Sequence, residues 1–267
     1  ILVMLVSIPF AWKYLLPSSL VDYAKSLLYS IGFTSNFYFY NIQSNYFDLD
    51  SKFRPFLHTW SLSVEEQFYL LFPIFLLIIY KFKKYLILKS LLILIILNLL
   101  LIHLLGNFNF KQPYINEELS FMAPSFLSSF FLTTSRIWEV LVGSILAYME
   151  ISKGSRTSNK VICEFFSFIG LIIIFYSIFF FSDEIFHPSI FTLPAILGIS
   201  LLIWFSNKDT IITKILSNRI FVGVGLISYS LYLWHYPLIV FQKYESFSNE
   251  NSLILLLMIF IASLASY

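Results

Sequence analysis

Apolar runs broken by short polar stretches recur along the whole chain, from the opening ILVMLVSIPFAWKYLL through LLFPIFLLIIY at Leu70 to Tyr80 and LIIIFYSIFFF at Leu171 to Phe181. A helix needs about 20 apolar residues to cross a hydrocarbon core of roughly 30 Å, because each residue adds about 1.5 Å. On that measure the pattern predicts helices near 1–16, 62–80, 85–105, 125–149, 161–181, 189–206, 220–242 and 251–267. A transmembrane barrel would instead alternate polar and apolar residues in strands of about ten, and LIIIFYSIFFF does not alternate. With no water in the bilayer to satisfy the backbone, the expected fold is an all-α polytopic transmembrane helical bundle of about eight spans. The stretch SLLYSIGFTSNFYFY, within 22–58, is apolar but short, and reading it as a span would invert every later loop. It is read as an extracytoplasmic or re-entrant helix.

Loop charge then orients the bundle, since Lys and Arg near helix ends favour the cytoplasmic side. One set of loops is basic: Lys81, Lys83, Lys84 and Lys89; Lys153, Arg156 and Lys160; Lys208, Lys214 and Arg219. In the alternate set Glu117 and Glu118 outweigh Lys111, Asp183 and Glu184 stand alone, and Lys243 is balanced by Glu245 and Glu250. The segment from His58 to Glu66 falls outside. Composition agrees: 58% hydrophobic and 12% charged residues, with a mean hydropathy of +0.81, lie far from the soluble balance of about 45–50% apolar and 25% charged. The expected setting is a multi-pass membrane protein. A lone cysteine, Cys163, excludes an internal disulfide framework and a Cys-based metal cluster, and four scattered histidines show no ligand spacing, so no metal is expected. A net charge of +2 with no basic-aromatic surface argues against nucleic acid as a partner. The chain opens within an apolar run without Met or a basic leader and ends in another at Tyr267, so it reads as a fragment rather than as starting with a signal peptide.

Three polar clusters interrupt the apolar pattern. The first, HTWSLSVEEQFYLLFPIF at His58 to Phe75, sets two glutamates at the head of a helix. Thr59 or Ser61 can start that helix, and Ser63 with Glu66 matches a capping box whose acid suits the positive end of the helix dipole. Glu65 is harder to explain as a cap, because His58, Ser61 and Glu65 are spaced i, i+3, i+7 and share one helical face. That face turns either to a polar cavity or to the membrane surface. The second cluster, GVGLISYSLYLWHYPLIVF at Gly223 to Phe241, places Ser228, Tyr232 and His235 on one face, with His235 in the outer half of the membrane at a depth like that of Glu65. The competing interpretation is architectural: Gly223, Gly225, Ser228 and Ser230 permit close helix packing, and Trp234, Tyr236 and Pro237 form an interfacial belt. The third, TTSRIWEVLVGSILAYM, carries Arg136 and Glu139 at i, i+3 inside a membrane helix, where an unpaired charge costs roughly 3 kcal/mol, so the two are expected to pair. His103 and His187 read as interfacial residues.

FRPFLHTWSLSVEEQFYLLFPIFL, TTSRIWEVLVGSILA and LSNRIFVGVGLISYSLYLWHYPLIVF, in this order and spacing, resemble successive signature blocks of the membrane-bound acyltransferase family 3, the O-antigen O-acetylase type. LLYSIGFTSNFYFYNIQSNYFD resembles the segment before the first block, so the similarity covers nearly all of residues 1–267 as a partial acyltransferase 3 transmembrane domain. The resemblance implies transfer of an acyl group, usually acetyl, from cytoplasmic acyl-CoA to a hydroxyl of an extracytoplasmic carbohydrate such as lipopolysaccharide, capsule or another cell-surface glycan. It implies catalytic work for His58, Glu65 and His235, and substrate binding or positioning for Trp60, Ser61, Arg136, Glu139, Ser228 and Tyr232. Family members begin with a helix carrying an arginine and a histidine regarded as central, then a second helix and a basic loop suited to coenzyme A phosphates; this sequence starts after them and is expected to be inactive alone. Members with this type of block often continue into a periplasmic SGNH hydrolase-like domain. Two rivals stand beside the enzyme: a glycan or lipid transporter, in which intramembrane charges line a path, and an accessory membrane subunit without chemistry.

Overall fold

The computed structural model describes residues 1–42, 53–83, 85–110, 128–154, 156–157, 159–181, 190–245 and 252–267. These residues form helices α1 Leu2–Tyr14, α2 Pro17–Ile31, α3 Ser35–Ile42, α4 Thr59–Phe82, α5 Leu86–Phe110, α6 Thr133–Lys153, α7 Lys160–Phe180, α8 Leu193–Phe205, α9 Ile211–Leu216, α10 Arg219–Glu245 and α11 Ser252–Ser266. Among the described residues there is no strand, as the unbroken apolar runs require.

Among the described residues three helices are long and apolar enough to cross a membrane, Thr59–Phe82, Lys160–Phe180 and Arg219–Tyr244. Leu2–Tyr14, Ile190–Phe205 and Leu255–Ser266 are apolar but shorter, and α5 is apolar over Leu86–Ile102. At 13 residues, α1 is about 20 Å long, short of the hydrocarbon thickness. Helix α6 has 21 residues but starts only at Thr133, after a 3-10 turn at Ser128–Phe131, and it carries Arg136, Glu139, Glu150 and Lys153. The stretch 22–58 contains the end of α2 and all of α3, neither of which reaches spanning length. They meet at a tight turn where Phe33 adopts a left-handed conformation (φ 52°) and the Thr34 N–H donates to the Tyr29 carbonyl at 2.8 Å.

The chain divides into two compact units, Ile1–Gln67 with Arg219–Tyr267, and Phe68–Asn218. The first is built on Val3, Ala11, Tyr23, Phe56, Trp234 and Phe241, which join α1, α2 and α10 around one apolar core. Polar pins cross it: Ser7 Oγ lies 2.6 Å from the Tyr23 hydroxyl, and Trp234 Nε1 donates to Ser266 Oγ at 3.0 Å. The head of α4 is fixed by one face, Thr59, Ser63 and Gln67 at i, i+4, i+8. Thr59 Oγ1 meets Ser30 Oγ at 2.7 Å, Ser63 Oγ meets Ser35 Oγ at 2.7 Å, and Gln67 Nε2 donates to Asn36 Oδ1 at 2.9 Å and to the Phe33 carbonyl at 2.8 Å. Such hydrogen bonds satisfy polar groups that would otherwise be stranded away from water. Because α4 starts at Thr59, Ser63 lies a full turn inside it and the predicted capping box with Glu66 does not form.

In the second unit Phe68, Leu91 and Leu141 join α4, α5 and α6. Helix α7 is capped by Asn159, whose side chain accepts from the Val161 and Ile162 N–H groups, and it packs on α8 at a paired-glycine crossing, Gly170 against Gly198. Arg156 ties the loop before α7 to the end of α8 through the Ile203 carbonyl at 2.7 Å and pairs with Glu150 at 2.6 Å.

Candidate functional site

His58 sits one residue before α4, where the chain enters the helix, and is 3% exposed. Its ring is enclosed by others of the first unit: Phe56 at 6.1 Å and Tyr236 at 5.3 Å lie stacked against it, while Tyr232 at 5.2 Å and His235 at 5.4 Å meet it edge to face. Both imidazole nitrogens are buried and have no hydrogen-bond partner among the described residues. That arrangement is costly, since a buried polar group without a partner forfeits about 1–3 kcal/mol.

The backbone around His58 is, by contrast, held firmly. The Tyr232 hydroxyl donates to the His58 carbonyl, and Ser61 Oγ lies 2.6 Å from the same hydroxyl. Tyr232 has only one proton to give, so Ser61 is the donor in that second contact. His235 Nδ1 lies 2.6 Å from the Tyr232 carbonyl. A carbonyl only accepts, so Nδ1 carries the proton and the Nε2 of neutral His235 keeps its lone pair. One helix, α10, thus fixes the position of His58 with Tyr232 and sets the tautomer of His235, one turn further on.

Burial, followed by the charge of His235, lowers the His58 pKa to about 3 from the usual 6.5. The imidazole is therefore neutral at physiological pH. Between pH 6.5 and about 3 the unfolded chain binds a proton at this position that the folded chain refuses, so stability is fully present above 6.5 and falls as pH drops. The slope from one such group is at most about 1.4 kcal/mol per pH unit. Thermal melts of the detergent-solubilised protein are expected to show this acid loss, and His58→Phe is expected to flatten it; an unchanged slope in the variant would place the acid sensitivity elsewhere.

The structure brings together His58, Ser61, Tyr232 and His235. Glu65 is exposed, and among the described residues its carboxylate accepts no hydrogen bond, so it does not share the His58 enclosure as the i, i+7 spacing suggested. Ser228 is also exposed and donates to the Gly225 carbonyl of its own helix at 2.7 Å. Trp60 is half-buried. Among the described residues nothing lies within 4 Å of where a Cβ on Gly223 or Gly225 would stand. Arg136 and Glu139, in the second unit, pair at 3.1 Å as expected, with the guanidinium 4.6 Å over the Phe130 ring. His187 and the His103 side chain lie outside the described residues. Sequence reasoning missed Phe56 and Tyr236 as ring partners of His58, and read Tyr236 only as part of an interfacial belt. It also missed the polar face Thr59, Ser63, Gln67, although its i, i+4, i+8 spacing is a legible signal. Among the described residues no group of three His, Cys, Asp or Glu side chains could hold a metal, and Cys163 is buried with its thiol 3.3 Å from the Thr157 carbonyl.

A family model described as an acyltransferase domain matches residues 4–267. The O-acetyltransferase OatA of Staphylococcus aureus (strain NCTC 8325 / PS 47) is 26% identical over 236 residues, covering 84% of this chain and 36% of that protein. A second Staphylococcus aureus protein (strain COL), provisionally named an O-acetyltransferase, is 29% identical over 252 residues, covering 90% of this chain and 39% of its own length. The chain therefore spans less than two-fifths of the length of either relative. No solved structure matches.

Proposed function

The chain belongs to the acyltransferase 3 family, and on that premise we propose that it forms the membrane domain of an O-acyltransferase that moves an acyl group, in the first instance acetyl, from acyl-CoA to a carbohydrate hydroxyl outside the cytoplasmic membrane. The observation that carries this reading is the His58–His235 pair, in which a buried imidazole has no hydrogen-bond partner among the described residues and a second imidazole offers a defined lone pair.

Ester formation needs a base for the hydroxyl proton and donors for the negative charge that builds on the acyl oxygen. In the proposed step the hydroxyl oxygen bonds to the acyl carbonyl carbon and its proton passes to His235 Nε2. The carbon–sulfur bond of the thioester then breaks and the thiolate takes that proton, leaving an ester and coenzyme A thiol. Neutral His58 supplies one N–H donor and one lone pair to the bound hydroxyl or acyl oxygen, which removes the cost of its unpartnered nitrogens. Tyr232 and Ser61 position His58 through its carbonyl. Glu65 is a candidate for the acceptor entrance, and Arg136 with Glu139 for charge compensation. Lipopolysaccharide, capsule and other surface glycans all present suitable hydroxyls.

The test is vectorial. The full-length protein carrying this membrane domain, reconstituted in vesicles with labelled acetyl-CoA on the cytoplasmic face and a surface glycan on the other, is expected to yield alkali-labile label on the glycan. Unlabelled glycan sinks the reading, and glycan carried across unmodified makes the chain a transporter. Orientation is separable: the exposed position of Lys160, mutated to Cys, is expected to react with an impermeant maleimide from the cytoplasmic side alone.

A further inference from the structure

Within the first unit a cavity of about 350 Å³ is lined by residues that the chemistry above does not use, among them Asp22, Arg54, Ser19, Tyr23, Phe53 and Tyr244. Ligand pockets run from roughly 300 to 1,000 Å³, so this one takes a small ligand or a single ring of a larger one. Its charges cancel. Asp22 and Arg54 face each other at 3.5 Å, a long and single-point contact, and Arg54 Nε is buried with no hydrogen-bond partner among the described residues. The guanidinium fork therefore has donors in excess of what Asp22 takes. Asp22 in turn receives the Tyr38 hydroxyl at 3.5 Å on its carboxylate and at 3.2 Å on its carbonyl. Burial, then the Asp22 charge, raises Tyr38 to about 12, so that phenol remains a donor.

A net-neutral lining argues against a free anion, and in particular against the phosphates of a coenzyme, for which Arg54 is the only lining cation among the described residues and already faces a carboxylate. An apolar ligand is disfavoured because it would bury the ion pair and the Ser19 hydroxyl unsatisfied. What fits is a neutral polyol with an apolar face: hydroxyls that bridge a carboxylate and a guanidinium, and C–H faces that lie on the rings of Tyr23, Phe53 and Tyr244. The cavity also neighbours the His58 enclosure through contiguous rings, Tyr23 on Phe56 at 5.9 Å and Phe56 on His58 at 6.1 Å. We infer that the Asp22–Arg54 cavity is a binding subsite for one neutral sugar ring of the acceptor glycan, adjacent to the ring that reacts. This rests on the acyltransferase reading for its role, but not for its occupancy.

Binding is tested without turnover. The protein in nanodiscs is presented with the methyl glycosides of glucose, galactose, mannose and N-acetylglucosamine, and saturation-transfer NMR reads contact with the ring protons. At least one glycoside is expected to bind, with affinity falling at least tenfold in Arg54→Gln. Ser19→Phe, which fills the cavity from the first turn of α2 and leaves the ion pair intact, is expected to do the same, and decides the matter if Arg54→Gln fails to fold. No glycoside binding, binding that survives Ser19→Phe, or displacement of the glycoside by acetyl-CoA would overturn the subsite. Glycoside binding lost in Ser19→Phe but no acyl transfer by the wild type supports the subsite and sinks the enzymatic reading. Acyl transfer with an unchanged KM for glycan in Ser19→Phe does the reverse.

Discussion

His235→Ala is expected to lower acyl transfer to glycan by roughly 10²–10⁴-fold in membranes carrying the protein, the range that general acid–base catalysis commonly supplies. The expectation rests on the tautomer: with Nδ1 donating to the Tyr232 carbonyl, the reactive nitrogen is Nε2, and alanine removes it. Little structure goes with it, because that hydrogen bond lies within α10 and its carbonyl is that of a residue one turn earlier. The variant should therefore elute and melt like the wild type, and a collapse of both activity and fold would leave a scaffold role instead. Tyr232→Phe is the informative companion. It deletes the hydroxyl that holds the His58 carbonyl and meets Ser61, so it loosens His58 without touching either imidazole. Its loss of rate should be smaller than that of His235→Ala, and undiminished activity would dismiss the positioning role. Glu65→Gln in the same assay settles a separate question. A loss equal to that of His235→Ala brings Glu65 into the reaction; a loss under tenfold leaves it at the exposed surface of α4 where it stands.

Helix existence was legible because long apolar runs admit little else in a bilayer. Span limits were less so, since hydropathy counts residues and not where a helix starts: the stretch 125–149, read as one span, holds a 3-10 turn at Ser128–Phe131 before the first turn of α6 at Thr133. Depth alone matched His235 with Glu65, whereas the ring it meets is that of His58, 5.4 Å away. Glu65 and His58 part for a geometric reason. His58 precedes the first helical residue, so it is not on the helical lattice from which the i, i+7 face was drawn, and its ring turns to α10 while Glu65 follows the outer face of α4. The hydroxyls of the same block were taken for caps and site groups. Two of the four polar positions nearest the start, Thr59 and Ser63, instead fasten α4 to α2 and α3, partners that no local spacing identifies. Small residues were sought in α10, where Gly223 and Gly225 stand open, and not in α7 and α8, where they are used.

Gly170→Ala is expected to cost about 1–3 kcal/mol, the usual penalty for forcing a methyl group into a filled interface. A Cβ there would stand 2.8 Å from the Gly198 carbonyl oxygen and 3.0 Å from the Leu202 amide nitrogen. Both are backbone atoms of α8, so no rotamer change can make room and the helices must separate, forfeiting packing along the whole pair. Small residues serve this purpose between membrane helices, where close backbone approach rather than the exclusion of water drives association. The sign is diagnostic, because Gly→Ala inside a helix otherwise stabilises by about 1 kcal/mol. Gly143→Ala supplies that baseline: it lies in α6 with nothing among the described residues within 4 Å of the added carbon, and should be neutral or slightly stabilising. Gly198→Ala should fall between the two, since its added carbon meets one backbone oxygen, that of Gly170 at 3.0 Å, and otherwise the side chains of Ile174 and Ile173, whose ends can shift. The double variant should lose less than the two single losses combined, because helices already forced apart accept a second methyl more cheaply. Melting temperatures in one detergent, ranked Gly143→Ala, then Gly198→Ala, then Gly170→Ala from most to least stable, would establish the crossing, and equal temperatures for all three would refute it.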